Sequence, residues 1–162
     1  MPAPDGARGT RPVEADEKTI LRRRTRAREL ALQFLYQWDQ RGEEVVDSLT
    51  AFVTEGDHDP SVQRFARDLV IGVIGKAAEI DQEIIGVAEN WELHRMAVVD
   101  RNVLRLATYE LLYLADIPPK VSINEAIDLA KKFSTAESGA FVNGILDKIR
   151  KKCRADKGEA GQ

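Results

Sequence analysis

The sequence predicts an all-α protein, a compact bundle of six to seven helices, on three observations. Apolar residues recur at steps of three and four along most of the chain. Several segments open on residues that cap helices. No stretch alternates apolar and polar residues as a half-buried strand does, and no internal repeat is present.

The first helix is expected from about residue 20 to 40, with Ala27, Leu30, Ala31, Phe34, Leu35 and Trp38 on one stripe and Gly42 as its stop. A short second helix fits 43–54, with Val46, Leu49 and Val53 inward. Asp59 before Pro60 is a helix start, because the carboxylate accepts from free amides of the first turn while proline has no amide to waste there. Val62, Phe65, Leu69, Val73, Ala77, Ile80 and Ile84 then hold one face to about residue 88, so a single long helix is expected, with Gly72 and Gly75 permitting close approach and Asn90 ending it. After a linker carrying Trp91, a helix over about 99–115 is apolar almost all round and should be central; Pro118 and Pro119 terminate it. Ser122-Ile-Asn-Glu125 spells a capping box for the next helix, and Ser134-Thr-Ala-Glu137 a second one ahead of Phe141, Val142, Ile145, Leu146 and Ile149.

A chain of 162 residues with 43% apolar content suits one domain with tails. The expected division is a disordered tail over 1–18, rich in Pro, Gly and charge, a helical domain over 19–152 and a second disordered tail over 153–162. One cysteine, Cys153, and no signal-peptide pattern point to the cytoplasm. The longest apolar run, Leu69 to Gly75, is far below the ~20 residues that span a bilayer, so no membrane role is expected. His58 and His94 stand apart without the ligand spacing of a metal centre, and no nucleophile elbow, P-loop or dinucleotide glycine pattern occurs. Neither an enzyme nor a bound cofactor is expected.

The formal charge of −3 argues, at face value, against a nucleic-acid binder. It is an average over unlike populations. Residues 22–28, RRRTRAR, hold five arginines and no acid, and 148–154, KIRKKCR, hold five more bases; the rest of the chain is strongly acidic. The first run falls at the start of the first helix, where the dipole disfavours cations, so stability does not explain it. Guanidinium groups match phosphate oxygens bidentately and stack on bases, which favours RNA or another polyanion over a solubilising flank. The second run complements the dipole at its own helix end, so its structural and functional readings are equally good. Tyr36 lies off the apolar stripe and is either a base-stacking group or an ordinary exposed aromatic.

Three blocks, RRRTRARELALQFLYQWD, DRNVLRLATYELLYLADIPPKVSINEAIDLAKKFST and AESGAFVNGILDKI, closely resemble the NusB family of bacterial transcription antitermination factors, in the family's order and over about residues 22–150. The resemblance implies two packed helical subbundles that bind the boxA element of nascent ribosomal RNA leaders as a single strand. It implies action together with the ribosomal protein NusE, in a complex on RNA polymerase. Carried onto this chain, RNA contacts fall on Arg24, Arg26 and Arg28, with Arg22 and Arg23 as extensions, on Tyr36, and on Glu137, Ser138 and Phe141. The surface for the ribosomal protein falls near Asp100, Arg101 and Arg105. Thr25 stands where many members carry another base, and Gly139 and Ala140 occupy positions that are polar or basic in some. By spacing, Phe141 also belongs to the buried stripe. Two other classes stay open: the N-terminal domain of a truncated ribosomal RNA cytosine methyltransferase, which would need a further α/β domain, and a structural helical homodimer.

Overall fold

The computed structural model describes residues 16–89 and 92–161, with side chains as far as Arg154. Among these residues the chain forms seven α-helices and two 3₁₀ turns. They are α1 (Glu17–Arg41), α2 (Leu49–Gly56), α3 (Pro60–Gly75), α4 (Ala77–Val87), α5 (Val98–Tyr113), α6 (Pro119–Phe133) and α7 (Ser138–Gly161). Helices α1 to α3 pack as one group and α4 to α7 as another; α1 and α5 are the elements that join them. As expected, α5 is central, touching α1, α3, α4, α6 and α7.

The α1 stripe is buried as its spacing requires: Ala27, Leu30, Ala31, Phe34 and Leu35 are all at most 1% exposed, and Trp38 packs at the edge of the same core. The helix begins earlier than expected. Asp16 caps it, accepting from the Thr19 amide at 2.8 Å, and Glu17 occupies the first turn. That hydrogen bond holds the Asp16 carboxyl below the usual carboxylate range. Residues 1–15, most of the expected tail, and Asn90 and Trp91 lie outside the described residues.

Gly42 terminates α1 at φ 81°, ψ −158°, a backbone conformation open essentially to glycine alone. The expected helix over 43–54 resolves into a 3₁₀ turn, Gly42–Ser48, followed by α2. The Asp59-Pro60 start forms as anticipated, with Asp59 accepting from the Ser61 amide at 2.8 Å and Pro60 in the first turn.

The long helix expected over 60–88 is interrupted at Lys76 (φ −115°, ψ 17°), which separates α3 from α4. The stripe conceals the break because Val73, Ile80 and Ile84 are fully buried on both sides of it. Gly72 allows the expected close approach: a Cβ there would lie 2.1 Å from the Tyr109 ring, whereas one at Gly75 would meet nothing.

Neither anticipated capping box forms. Helix α6 starts at Pro119, so Ser122 and Glu125 are already inside it; Ser122 is 1% exposed and donates to Glu110 at 2.8 Å. Helix α7 starts at Ser138, leaving Glu137 just ahead of it. It is helical as far as Gly161, a stretch that includes residues expected in the second tail. No helix among the described residues is long and apolar enough to cross a membrane.

Candidate RNA interface

The five arginines of 22–28 sit in the second to fourth turns of α1, beyond the acidic first turn. The dipole penalty expected for them does not apply, because the helix dipole acts within the terminal turn. What distinguishes these arginines is their partners. Arg23 pairs with Asp59 at 2.8 Å. Arg26 donates to the Gly56 carbonyl at 2.9 Å and to Glu29 at 3.3 Å, and lies 3.6 Å from Asp57.

Arg28 is 1% exposed. Its Nε and Nη2 donate to the two carboxylate oxygens of Glu110 at 2.8 and 2.7 Å, and its Nη1 to Glu125 at 3.2 Å. Arg28, expected among the RNA contacts, is placed by the structure in the core with its guanidinium already engaged. A guanidinium closed by the buried Glu110 and the part-buried Glu125 joins α1 to α5 and α6, and cannot turn outward without leaving those charges unpaired. Thr25 belongs to the same cluster, donating to Glu125 at 2.5 Å.

Arg22 and Arg24 differ from the others. Neither forms a hydrogen bond or ion pair with a described residue; Arg22 is exposed, and the Arg24 guanidinium lies over the Phe65 ring, 5.1 Å from its centroid. Of the five arginines in the run, these two carry the donors left without a hydrogen bond or ion pair among the described residues.

Tyr36 is 45% exposed, as its place off the stripe implies. It lines a 270 Å³ pocket with Leu32, Gln33, Gln37, Val99 and Phe133. Along the α1 axis it lies about 18 Å from Arg24.

Glu137, Ser138 and Phe141 meet Asp100 in a 240 Å³ pocket between the starts of α5 and α7. Their availability is uneven. Glu137 is exposed and Phe141 half-buried, at once core and edge. Ser138 is 3% exposed and donates to Asp100 at 3.1 Å. Ser138, expected as an RNA contact, ties α7 to α5 through this bond, and Asp100, itself buried, keeps its second carboxylate oxygen without a hydrogen-bond partner among the described residues.

Arg101 and Arg105 are also engaged internally. Asp39 accepts from Arg101 Nε at 2.7 Å and from its Nη2, and from Arg105 Nη1 at 2.6 Å; Arg105 Nε donates to Asp81 at 2.9 Å. Burial alone would raise the Asp39 carboxyl, but hydrogen bonds from Arg101, Asn102 and Arg105 outweigh it and bring the pKa down to about 2. Both arginines line a 460 Å³ pocket shared with Trp38, Leu93 and His94. They shape that surface without offering free charge.

The sequence alone missed Glu110 and Phe65. A glutamate in a helix apolar almost all round signals a buried cation waiting for it. Phe65 had no such signal, because its spacing reads only as core.

Comparison with known proteins bears on the family and the fold. A family model described as the NusB family matches residues 25–151. The transcription antitermination protein NusB of Anaeromyxobacter sp. (strain Fw109-5) is 53% identical over 128 residues, 78% of this chain and 89% of that protein. Its counterpart in Geobacter sulfurreducens is 50% identical over 123 residues, 75% of this chain and 89% of that protein. Among solved structures, T. maritima NusB superimposes with a TM-score of 0.71 at 44% identity, covering 79% of this chain and 90% of that one. A crystal structure of antitermination factors NusB and NusE in complex with dsRNA gives 0.73 at 33% identity, covering 81% and 98%. The chain belongs to the NusB family.

Proposed function

We propose that this chain is a transcription antitermination factor that binds the boxA element of nascent ribosomal RNA leaders together with NusE, within a complex on RNA polymerase in the cytoplasm. The observation that carries the reading is the match to NusB proteins over most of their own length, joined to a similar structure solved with NusE and RNA. The same extent of match, to proteins named as antitermination factors, favours this reading over the methyltransferase fragment.

On this chain the RNA meets Arg22 and Arg24 first, through phosphate contacts that supply affinity, and reaches toward Tyr36 and the Glu137–Phe141 pocket, where stacking supplies selectivity. Arg23 and Arg26, half-exposed but paired with acids, add less. NusE docks on the side of α5 whose surface Arg101 and Arg105 shape.

Fluorescence anisotropy with a labelled single-stranded boxA leader, with and without NusE, tests this. The expected result is salt-dependent binding that NusE strengthens and that a scrambled strand lacks; a duplex of the same sequence serves as comparison. Equal binding of boxA and scrambled RNA, unaffected by NusE, would overturn the reading.

A further inference from the structure

A 320 Å³ pocket lies between α1 and the start of α3, lined by Ile20, Arg23, Arg24, Ser61 and Phe65. Its polar walls differ in freedom. Arg23 pairs with Asp59, and the Ser61 hydroxyl donates to the same carboxylate at 2.7 Å. Arg24 has no such partner among the described residues, and its guanidinium rests over the Phe65 ring, 5.1 Å from the centroid.

Phe65 is in turn held from the interior. The Arg28 guanidinium lies 5.6 Å from the centroid of the same ring, and Arg28 is immobilised by Glu110 and Glu125. The constraint runs from a buried carboxylate cluster through Arg28 and Phe65 to Arg24 at the surface. A guanidinium resting on an aromatic ring uses one of its faces for that contact. The N–H edge of Arg24 makes no hydrogen bond or ion pair with a described residue, and a stacked guanidinium samples fewer orientations than one extended into water. An RNA strand offers the matching groups, phosphate oxygens for the edge and a base for the face.

We propose that this pocket is an additional nucleotide subsite of the RNA interface, in which Arg24 binds the strand and Phe65 is the positioning residue that holds the Arg24 plane. The proposal rests on the RNA-binding reading above and adds α3 to an interface otherwise drawn on α1 and α7.

A double-mutant cycle tests it, using the full chain with NusE and a labelled boxA strand. Arg24→Ala should weaken binding about tenfold and Phe65→Leu about three- to tenfold. The double variant should bind no worse than Arg24→Ala, because Phe65 acts only through Arg24. Phe65→Tyr, which keeps the ring, should restore binding. Losses that add in the double variant, or wild-type affinity in a folded Phe65→Leu protein, would overturn the proposal while leaving the RNA reading intact. Absence of RNA binding by the wild-type chain would be a failure of that reading instead. If Phe65→Leu does not fold by circular dichroism, Arg24→Lys carries the test: it keeps the charge and loses the plane, so weakened binding supports the subsite and unchanged binding overturns it.

Discussion

Helices α1 and α5 both carry arginines, and the fold uses them in opposite ways. On α5, Arg101 and Arg105 are closed on Asp39 and Asp81, and they fasten α5 to α1 and α4. On α1 the run is divided. Arg28 is consumed in the core, Arg23 and Arg26 are partly neutralised, and Arg22 and Arg24 remain available. Arg24 and Arg28 are one helical turn apart, yet one is presented to solvent and the other is buried against two glutamates. A cluster of bases in a sequence is therefore not yet a polyanion site. The site is the charge left over once internal carboxylates have taken their share.

Substitutions that exchange these fates should break the comparison most visibly. The largest effect belongs to the buried pair: Glu110→Ala leaves Arg28 facing Glu125 alone and should cost about 3–5 kcal/mol of stability in urea unfolding. An Arg24, Arg26, Arg28 triple alanine variant would break the same buried pair, so lost stability and lost RNA contacts would be mixed in it. It cannot locate the interface.

The α5 network comes next and carries a pH signature. The Asp39 carboxyl sits near 2 in the folded protein against 3.8 for an unperturbed group. Because the folded value is depressed, its stabilisation of about 2 kcal/mol is complete above the unfolded pKa and is lost as pH falls through the folded one. Asp39→Asn should be less stable than wild type by about that amount at neutral pH, and the two proteins should converge between pH 4 and 2. A gap that persists at pH 2 would show that packing, not charge, accounts for it. The smallest effect belongs to the surface pair. Arg23→Ala should change stability by less than about 1 kcal/mol, since both partners are solvated.

Local signals in the sequence carried much of this fold. The α1 stripe, the Asp59-Pro60 start and the central place of α5 all follow from spacing and cap chemistry. The errors arose where a local pattern had a second explanation at long range. Ser122 and Glu125 have the spacing of a capping box, but that spacing also puts them on one side of a helix, where they meet Glu110 and Arg28. The break at Lys76 was hidden because the apolar stripe resumes in register after it. At the interface, the arginine run and Tyr36 were visible, whereas the division of the run was not. Apart from Glu29 on α1 itself, it depends on acids from the α2–α3 loop, α5 and α6 that only tertiary structure brings to α1.

The central claim is that RNA contacts the arginines the fold leaves unpaired. Its most direct test is the salt dependence of boxA binding by wild type and an Arg22→Ala, Arg24→Ala double variant. Removing two phosphate contacts from a single strand should make the slope of log affinity against log salt shallower by about 1.4, with the thermal melt unchanged. An unchanged slope in a folded variant would contradict the account and place the RNA elsewhere on the molecule.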